Sequence, residues 1–557
     1  MSQVVKKHAN LDPRGNMLDR FIAAIAPSAG ARRMETRMRM ELAASFFSGG
    51  GYEGGSSTRR ETNTWTPLPS DADSASLYDL SALRSRSRDA ERNQPIATGA
   101  IGTTCMNVVG NGLKLQSMID AEFLGLTDQQ AAAWQRNTER RWSLWADSKD
   151  SDLERTRSFA ASLDAILFQR LVNGESFVLL PIVPLKGLSN PLRLQLVEAD
   201  RVGNPDLQVD RSTLVAGVEK DQHGAPVAYH ILRGHPGNIR YLDQTRYQWD
   251  RYTAFNPRTG LRNVIHYYRS RRGETRGVPM LAPVLEPLRM LTRYTQAELM
   301  AAVVSAMFTV FVKTPTGQGA GNLMPAPGAR PVVTQAQDAS AGKPDLQLGN
   351  GLILDLLPGE DVTFADPNRP NSGFDPFFLA MVRQIGIAIG IPYEVLIKHY
   401  TASYSAARAA LLDAWAFFQT MRADLVDNVC SIVYSVWMAQ EVAQGTIAAP
   451  GFFASPMVRA AWLGGQWNGP SMKQINPKDE VEAARIRVEQ GFTTRAEETA
   501  QMNGGDWETK HRQRVKEEQM RKEGGLTDVP TKVQKTITQS VDETSDAADA
   551  PDKPEAA

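Results

Sequence analysis

At 557 residues the chain exceeds what one hydrophobic core can hold, and length alone predicts three or four domains or one elongated subunit of several segments. Hydrophobic residues make up 42% and charged residues 22%, with 62 Lys+Arg against 62 Asp+Glu; this balance excludes a strongly basic polyanion binder but not locally charged faces. Two cysteines, Cys105 and Cys430, can build neither a disulfide framework nor a zinc cluster, and they fit a reducing compartment.

Residues 1–75 are rich in Gly, Ser, Arg and Met, and "SGGGYEGGSSTRRETN" (Ser48 to Asn63) predicts a flexible N-terminal arm without a core of its own. Lys6 and Lys7 precede "FIAAIAPSAGA", but Asp19 and Arg20 intervene, so no secretory signal is expected. From Leu77 the pattern turns helical. "RSRSRDAERN" predicts a basic helix, and the adjoining "PIATGAIGTTCMNVVGNG" a second helix that Gly110 and Gly112 end before a strand. Two amphipathic helices are expected between Trp134 and Val172, the second closed by Gly174.

"ESFVLLPIV", "LRLQLVEADRV", "LVAGVEKDQHGAPVAYHIL" and "NVIHYYRS" are β-branched and aromatic runs broken by turn residues. They predict an antiparallel sheet with a hairpin at Asp221 to Pro226, completing an α+β region that ends near Arg276. A long helix from Val278 to Met307 comes next, with Pro283 and Pro287 at its entrance. The apolar run from Leu299 to Val312 falls short of the roughly 18–20 residues of a membrane span, and none is expected. Thr314 to Gly351 is dense in Gly, Pro, Ala and Gln and reads as a small β-type insertion between strand-like flanks.

A helix from Phe374 to Gly390 leads to "HYTASYSAARAALLDAWAFFQTM", a soft Tyr- and Ser-rich stretch against the start of a long amphipathic helix. With Ser405 as N-cap, Leu411, Trp415, Phe418, Met421, Leu425, Val429, Ile432 and Val436 share one face, so the helix reaches Ala443. That is about 58 Å at 1.5 Å per residue. Charged helices broken at Gly491 and at Gly504 to Gly505 come after it, and residues 526–557 form an acidic tail too poor in apolar groups to fold.

The chemistry-bearing motifs are missing from the sequence. No phosphate-binding GxxxxGK[ST] loop, GxSxG elbow, HExxH or CxxC occurs, and the seven histidines are scattered. Carboxylate pairs such as Glu198 with Asp200 sit where turns commonly carry acids. No catalytic residue, metal site or cofactor is therefore expected. Arginines are more informative: Arg84, Arg86 and Arg88 lie at helical spacing with Arg92, and Arg269, Arg271 and Arg272 precede the Pro-rich helix entrance with Arg276. These groups suit solvated faces, intersubunit ion pairs or phosphate contacts.

Five segments, in order, resemble the lambda-type portal proteins of tailed bacteriophages: Arg86 to Gln116, "LVEADRV" (Leu196 to Val202), Ile265 to Leu288, "LPGEDVTFADPNRP" (Leu357 to Pro370) and Ile387 to Trp415. The resemblance covers about Leu77 to Gly525. It departs from the family at Lys398 and His399, where an acidic residue is expected in many relatives.

The resemblance implies the α+β portal fold, with long helices lining a ring of twelve copies at one capsid vertex of the virion, assembled in the host cytoplasm. It implies a wing at 76–276, a stem helix at 277–307, a clip at 308–373, a second stem helix at 374–390, a tunnel loop at 391–404, a long helix at 405–443 and a crown at 444–525. Its partners would be the terminase large subunit, major capsid and scaffold proteins, a head-tail connector, and double-stranded DNA that passes without sequence recognition. Lys398, His399, Tyr400, Thr401, Ser403, Tyr404 and Arg408 would face that DNA. A non-portal head-tail adaptor ring and, more remotely, a DNA-processing enzyme are the alternatives.

Overall fold

The computed structural model describes residues 29, 36, 39, 59–67, 69–184, 187, 190–238, 247–307, 311–313, 354–356, 373–400, 403–472, 476–503 and 505–526. The chain divides into two compact units, residues 1–75 and 76–557. In the first, a turn is closed by the Asn63 amide donating to the Arg59 carbonyl.

Four helices open the second unit: α1 (Leu80–Asn93), α2 (Pro95–Val108), α3 (Asp128–Ala146) and α4 (Phe159–Asn173). Thr127 and Gln130 form a reciprocal capping box at the start of α3, and Pro95 occupies the first turn of α2, where a missing N–H costs nothing. Gly174 closes α4 in the left-handed conformation expected of it, with φ 90°.

Strands β2 (Glu175–Leu179), β3 (Gln195–Val197) and β8 (Val264–Tyr268) form an antiparallel sheet in the order β3-β2-β8. A second antiparallel sheet contains β4 (Leu214–Val215), β5 (Val218–Lys220), β6 (Pro226–Leu232) and β7 (Trp249–Thr253). The hairpin between β5 and β6 falls at Asp221 to Pro226, where the Asp221 carboxylate accepts from the His223 and Ala225 amides. β2 is buried on both faces, and its pleat divides the core. Phe177 and Leu179 face the four-stranded sheet with Val218, Tyr229 and Ile231, whereas Val178 joins the helical core.

That helical core is organised by one rod. Helix α8 (Tyr404–Leu425) passes through five π-helical residues, Val426–Cys430, into α9 (Ser431–Ala443). Its N-cap is Ser403, not the expected Ser405, because the Ser403 hydroxyl accepts from the Ala406 amide at 3.5 Å. Leu425, Val429, Val433 and Trp437 are fully buried along the rod. Around Trp142, at 5.0–5.6 Å between ring centroids, lie Trp145, Phe159, Tyr434, Trp437 and Trp467.

Ahead of the rod stand α5 (Leu285–Met307), α6 (Phe374–Ile389) and the short α7 (Tyr393–Ile397). α5 starts seven residues later than the sequence suggests: the Met280 amide donates to the Leu171 carbonyl, holding residues 278–281 against α4 instead of in a helix. β9 (Phe311–Lys313) pairs in parallel with β10 (Leu354–Leu356), while the insertion between them and residues 357–372 lie outside the described residues. After α10 (Pro456–Trp462), β11 (Gly465–Asn468) returns to pair with β1 (Lys114–Ser117), a pairing across some 350 residues that no local pattern announces. Helices α11 (Pro477–Glu489), α12 (Arg495–Asn503) and α13 (Trp507–Glu523) complete the unit.

Gly174 and Gly277 touch backbone to backbone: a Cβ on Gly174 would lie 2.4 Å from the Gly277 carbonyl oxygen. Gly174→Ala is expected to lower stability by about 1–3 kcal/mol through this clash and the left-handed φ. The urea midpoint reads the effect, and an unchanged midpoint would contradict the close approach.

Candidate functional site

The Tyr- and Ser-rich junction has a definite geometry at both ends. Lys398 adopts φ +57°, a left-handed conformation uncommon for a residue with a Cβ, and its amide closes α7 on the Glu394 carbonyl. Ser403 then starts α8. Between these caps Lys398, His399 and Tyr400 are exposed, with Tyr400 48% accessible. The segment 391–404 is thus not all loop, since Tyr393–Ile397 is helical under the cation–π contact of Arg383 with Tyr393 at 4.6 Å. Thr401 lies outside the described residues, and Tyr404 is the first residue of α8. Arg408 stands 4.0 Å from Glu480 and so turns toward α11.

Two contacts fix the rod behind this junction. Arg422 of α8 donates to the carbonyls of Val108 (3.0 Å) and Asn107 (2.7 Å), placing a cation on the negative end of α2. Burial pulls its guanidinium down to about 10 without discharging it. Half a turn on, Asp424 accepts from Arg170 of α4 and from the Tyr267 hydroxyl of β8, each at 3.1 Å, with Arg170 stacked 4.8 Å from the Tyr267 ring.

Adjacent to Tyr267 on β8, His266 points to the opposite face and into a buried ionic centre. Glu175 has no exposed surface and accepts from Arg84, from Arg276 Nε (2.8 Å) and Nη2 (2.6 Å), from His266 Nε2 (2.9 Å) and from the Gly277 amide (3.0 Å). Arg276 also donates to the carbonyls of Val202 (2.9 Å), Ala216 (2.6 Å) and Ala199 (2.8 Å), and Arg84 to that of Asn173 (3.1 Å). His266 is sandwiched between Phe177 (4.2 Å) and Tyr268 (4.0 Å).

Burial by itself would raise the Glu175 carboxyl, but Arg276, Arg84 and His266 outweigh it and hold the group well below the usual carboxylate range. Burial also lowers His266 despite the carboxylate beside it, so a neutral ring donates Nε2–H. Burial brings Arg84 down to about 10, against the attraction of Glu175.

The sequence-level arginines therefore divide. Arg84 is taken up inside the subunit, and Arg88 is half-buried against Asp200 and Asn173 (2.7 Å); neither presents a free guanidinium to a phosphate. They look like a surface run in sequence because their partners lie some 90 to 110 residues away. Arg86, Arg269 and Arg272 are exposed, as is Arg271, which lies 3.6 Å from Glu274. Glu175 escaped sequence reasoning, since an acid at a strand entrance normally reads as a turn residue. The one available signal was its position directly after the Gly174 cap. Among the described residues no group of three or more His, Cys, Asp or Glu side chains could hold a metal, and no helix is long and apolar enough to cross a membrane.

Residues 58–422, well over half the chain, match the phage portal protein, lambda family. The chain belongs to that family. Its relatives include portal protein B of Escherichia phage lambda, 25% identical over 86% of this chain and 91% of that protein. The portal protein of Escherichia phage N15 is 26% identical, over 87% and 91% respectively. Solved structures to which the chain is similar include the neck of an empty GTA particle computed with C6 symmetry (16% identity, 79% of this chain and 95% of that one, TM-score 0.39). The virion of a native gene transfer agent particle is another (16%, 78% and 93%, TM-score 0.36). As a portal protein the chain is a virion component at the capsid vertex, and it works in DNA packaging as part of an oligomeric assembly; the family is structural. In this portal subunit the ionic centre and the rod contacts lie back to back on β8.

Glu175→Gln leaves Arg84 and Arg276 buried without their counter-charge and is expected to cost about 3–5 kcal/mol, read by urea unfolding. The pH dependence has a definite sign. Glu175 and His266 are both depressed in the fold, so below about pH 6.5 the unfolded chain binds a proton at His266 that the native site refuses, and Glu175 adds to this below about pH 4.3. Stability should fall from about pH 7 to 5, and His266→Gln should flatten that fall; an equal slope in both proteins would contradict the assignment.

Proposed function

We propose that the chain closes into a ring of twelve copies in which residues 391–404 supply the segment that faces the translocating duplex. In this reading 76–276 is the wing, 277–307 and 374–390 are the stem helices, and 308–373 is the clip that receives the terminase large subunit and later a head-tail connector. Residues 405–443 support the loop, 444–525 form the crown, and the major capsid and scaffold proteins meet the outer faces of the ring. The subunit acts as a conduit with no catalytic step of its own.

The observation that carries the reading is the exposed Lys398, His399 and Tyr400 at the head of a rod tied to the wing through Arg422 and Asp424. A duplex must slide past its channel. Each phosphate that a wall neutralises steepens the salt dependence of binding, so a lysine and a histidine per copy, with aromatic surface, suit guidance better than grip. A ring also needs heterologous contacts that close by rotation. Met290, Leu299 and Met300 of α5, with Phe377 and Ile387 of α6, expose apolar surface of the kind an adjacent copy would cover.

Replacing Lys398 to Tyr404 with Gly and Ser in assembled heads is expected to leave the ring intact while lowering the amount of DNA packaged or its retention. Heads that fill and hold DNA as the wild type does would remove the loop from the channel's working parts.

A further inference from the structure

A cleft of about 980 Å³ runs between α3, β1 and α13. Six cationic side chains line it: Arg136 and Arg140 from α3, Lys114 from β1, and Lys510, Arg512 and Lys516 from α13. All six are exposed and none has an ion pair within 4.0 Å among the described residues. Two of the three carboxylates at the same place are already engaged. Glu139 accepts from the Ser117 amide at 2.9 Å, and Asp506 caps α13 by accepting from the Glu508 (2.9 Å) and Thr509 (3.1 Å) amides. α13 itself buries no side chain, so its face toward the cleft is open to a ligand.

We propose that this cleft is a peptide-binding site whose ligand is the chain's own acidic segment, residues 541–557. That segment, "VDETSDAADAPDKPEAA", carries six carboxylates against one lysine. Glu543, Asp546, Asp549, Asp552 and Glu555 recur every third residue. This is the period at which a three-fold extended helix, rising about 3.1 Å per residue, presents a single edge, and Pro551 and Pro554 favour that backbone. Residues 526–540 reach about 50 Å when extended, against about 20 Å of helix from Lys510 to Glu523. The tether raises the local concentration of the segment to roughly the millimolar range.

Charge spacing selects a peptide over a nucleic acid. A duplex brings one phosphate per about 1.7 Å of axis, and these would be forced against Glu139, Asp147 and Asp506 in the cleft. Carboxylates about 9 Å apart on one edge can meet the cations and avoid those acids. Occupied by its own segment, the cleft presents no free cations to passing DNA.

The test uses the full-length chain with Glu543→Gln, Asp546→Asn, Asp549→Asn, Asp552→Asn and Glu555→Gln, which empties the cleft, and a fluorescein-labelled peptide of sequence 541–557. By anisotropy at low salt the neutralised chain should bind the peptide about tenfold or more tightly than the wild type, whose site is filled in cis. Adding Arg136→Glu and Lys516→Glu should abolish binding, and the milder Arg136→Gln with Lys516→Gln should weaken it with the circular dichroism spectrum unchanged. Absence of peptide binding to the neutralised chain, or binding indifferent to the cleft substitutions, would overturn the proposal. So would a short DNA duplex that binds wild-type and neutralised chains equally through Arg136 and Lys516, because it would make nucleic acid the ligand.

Discussion

A carboxylate can leave water completely only where its lone pairs find donors and its charge is answered, and the burial of Glu175 imposes that demand on three other parts of the chain at once. Arg84 comes from α1, Arg276 and the Gly277 amide from the segment before α5, and His266 from β8. Arg276 gives its remaining donors to the carbonyls of Ala199 and Val202, in the connection between the two sheets, and of Ala216, in the turn between β4 and β5. Buried ionic centres are poor sources of net stability, because desolvation cancels much of the attraction. Their strength lies in geometry: the five donors to Glu175 fix α1, β2, β8 and the segment before α5 relative to one another. The Gly174–Gly277 contact is a consequence, since the Gly277 amide reaches Glu175 only if the two backbones meet without side chains.

From this centre the mechanical path to the rod is short. β8 alternates sides, so His266 faces the ionic centre while Tyr267 faces the rod and donates to Asp424. Arg170, one turn before Gly174 on α4, reaches the same Asp424 from the other side. Two residues earlier on the rod, Arg422 caps α2, the helix that comes after α1 and its Arg84. The rod is thus pinned at one level by α2, α4 and β8, and the π-helical residues Val426–Cys430 begin just beyond that level. A π turn inside a long helix inserts a residue and re-aims the turns beyond it. Here it lets Val429 and Cys430 stay buried while Asp424 keeps its outward partners.

Much of this organisation was legible in the sequence, for identifiable reasons. Helical spacing of Leu425, Val429 and Val436, the left-handed cap at Gly174 and the Asp221 hairpin are local signals, set by residues within a turn or two of each other. The lambda-type segments gave the family. The features that escaped were non-local. β1 and β11 pair across the whole subunit with only four residues each, Arg84 and Arg88 resemble any solvated basic helix until Glu175 and Asp200 are placed beside them, and β7 lies in a run whose Trp249 and Tyr252 carry no clear alternation. The N-cap moved from Ser405 to Ser403 because two serines two residues apart offer the same hydroxyl, and only backbone geometry chooses between them.

The central claim is that an exposed junction is carried on a rod fixed by α2, α4 and β8. Amide hydrogen exchange on the assembled ring tests it most directly, because exchange reports local opening along one chain. The account expects the amide of Tyr400, beyond the Lys398 and His399 amides that close α7 on the Glu394 carbonyl, to exchange rapidly, while those from Phe418 to Trp437 exchange as slowly as Phe177 and Val178 in β2. Protection that decays steadily from Trp437 back to Tyr400, with Phe418 to Leu425 exchanging on the timescale of the junction, would mean that the rod moves with the loop, and would contradict it.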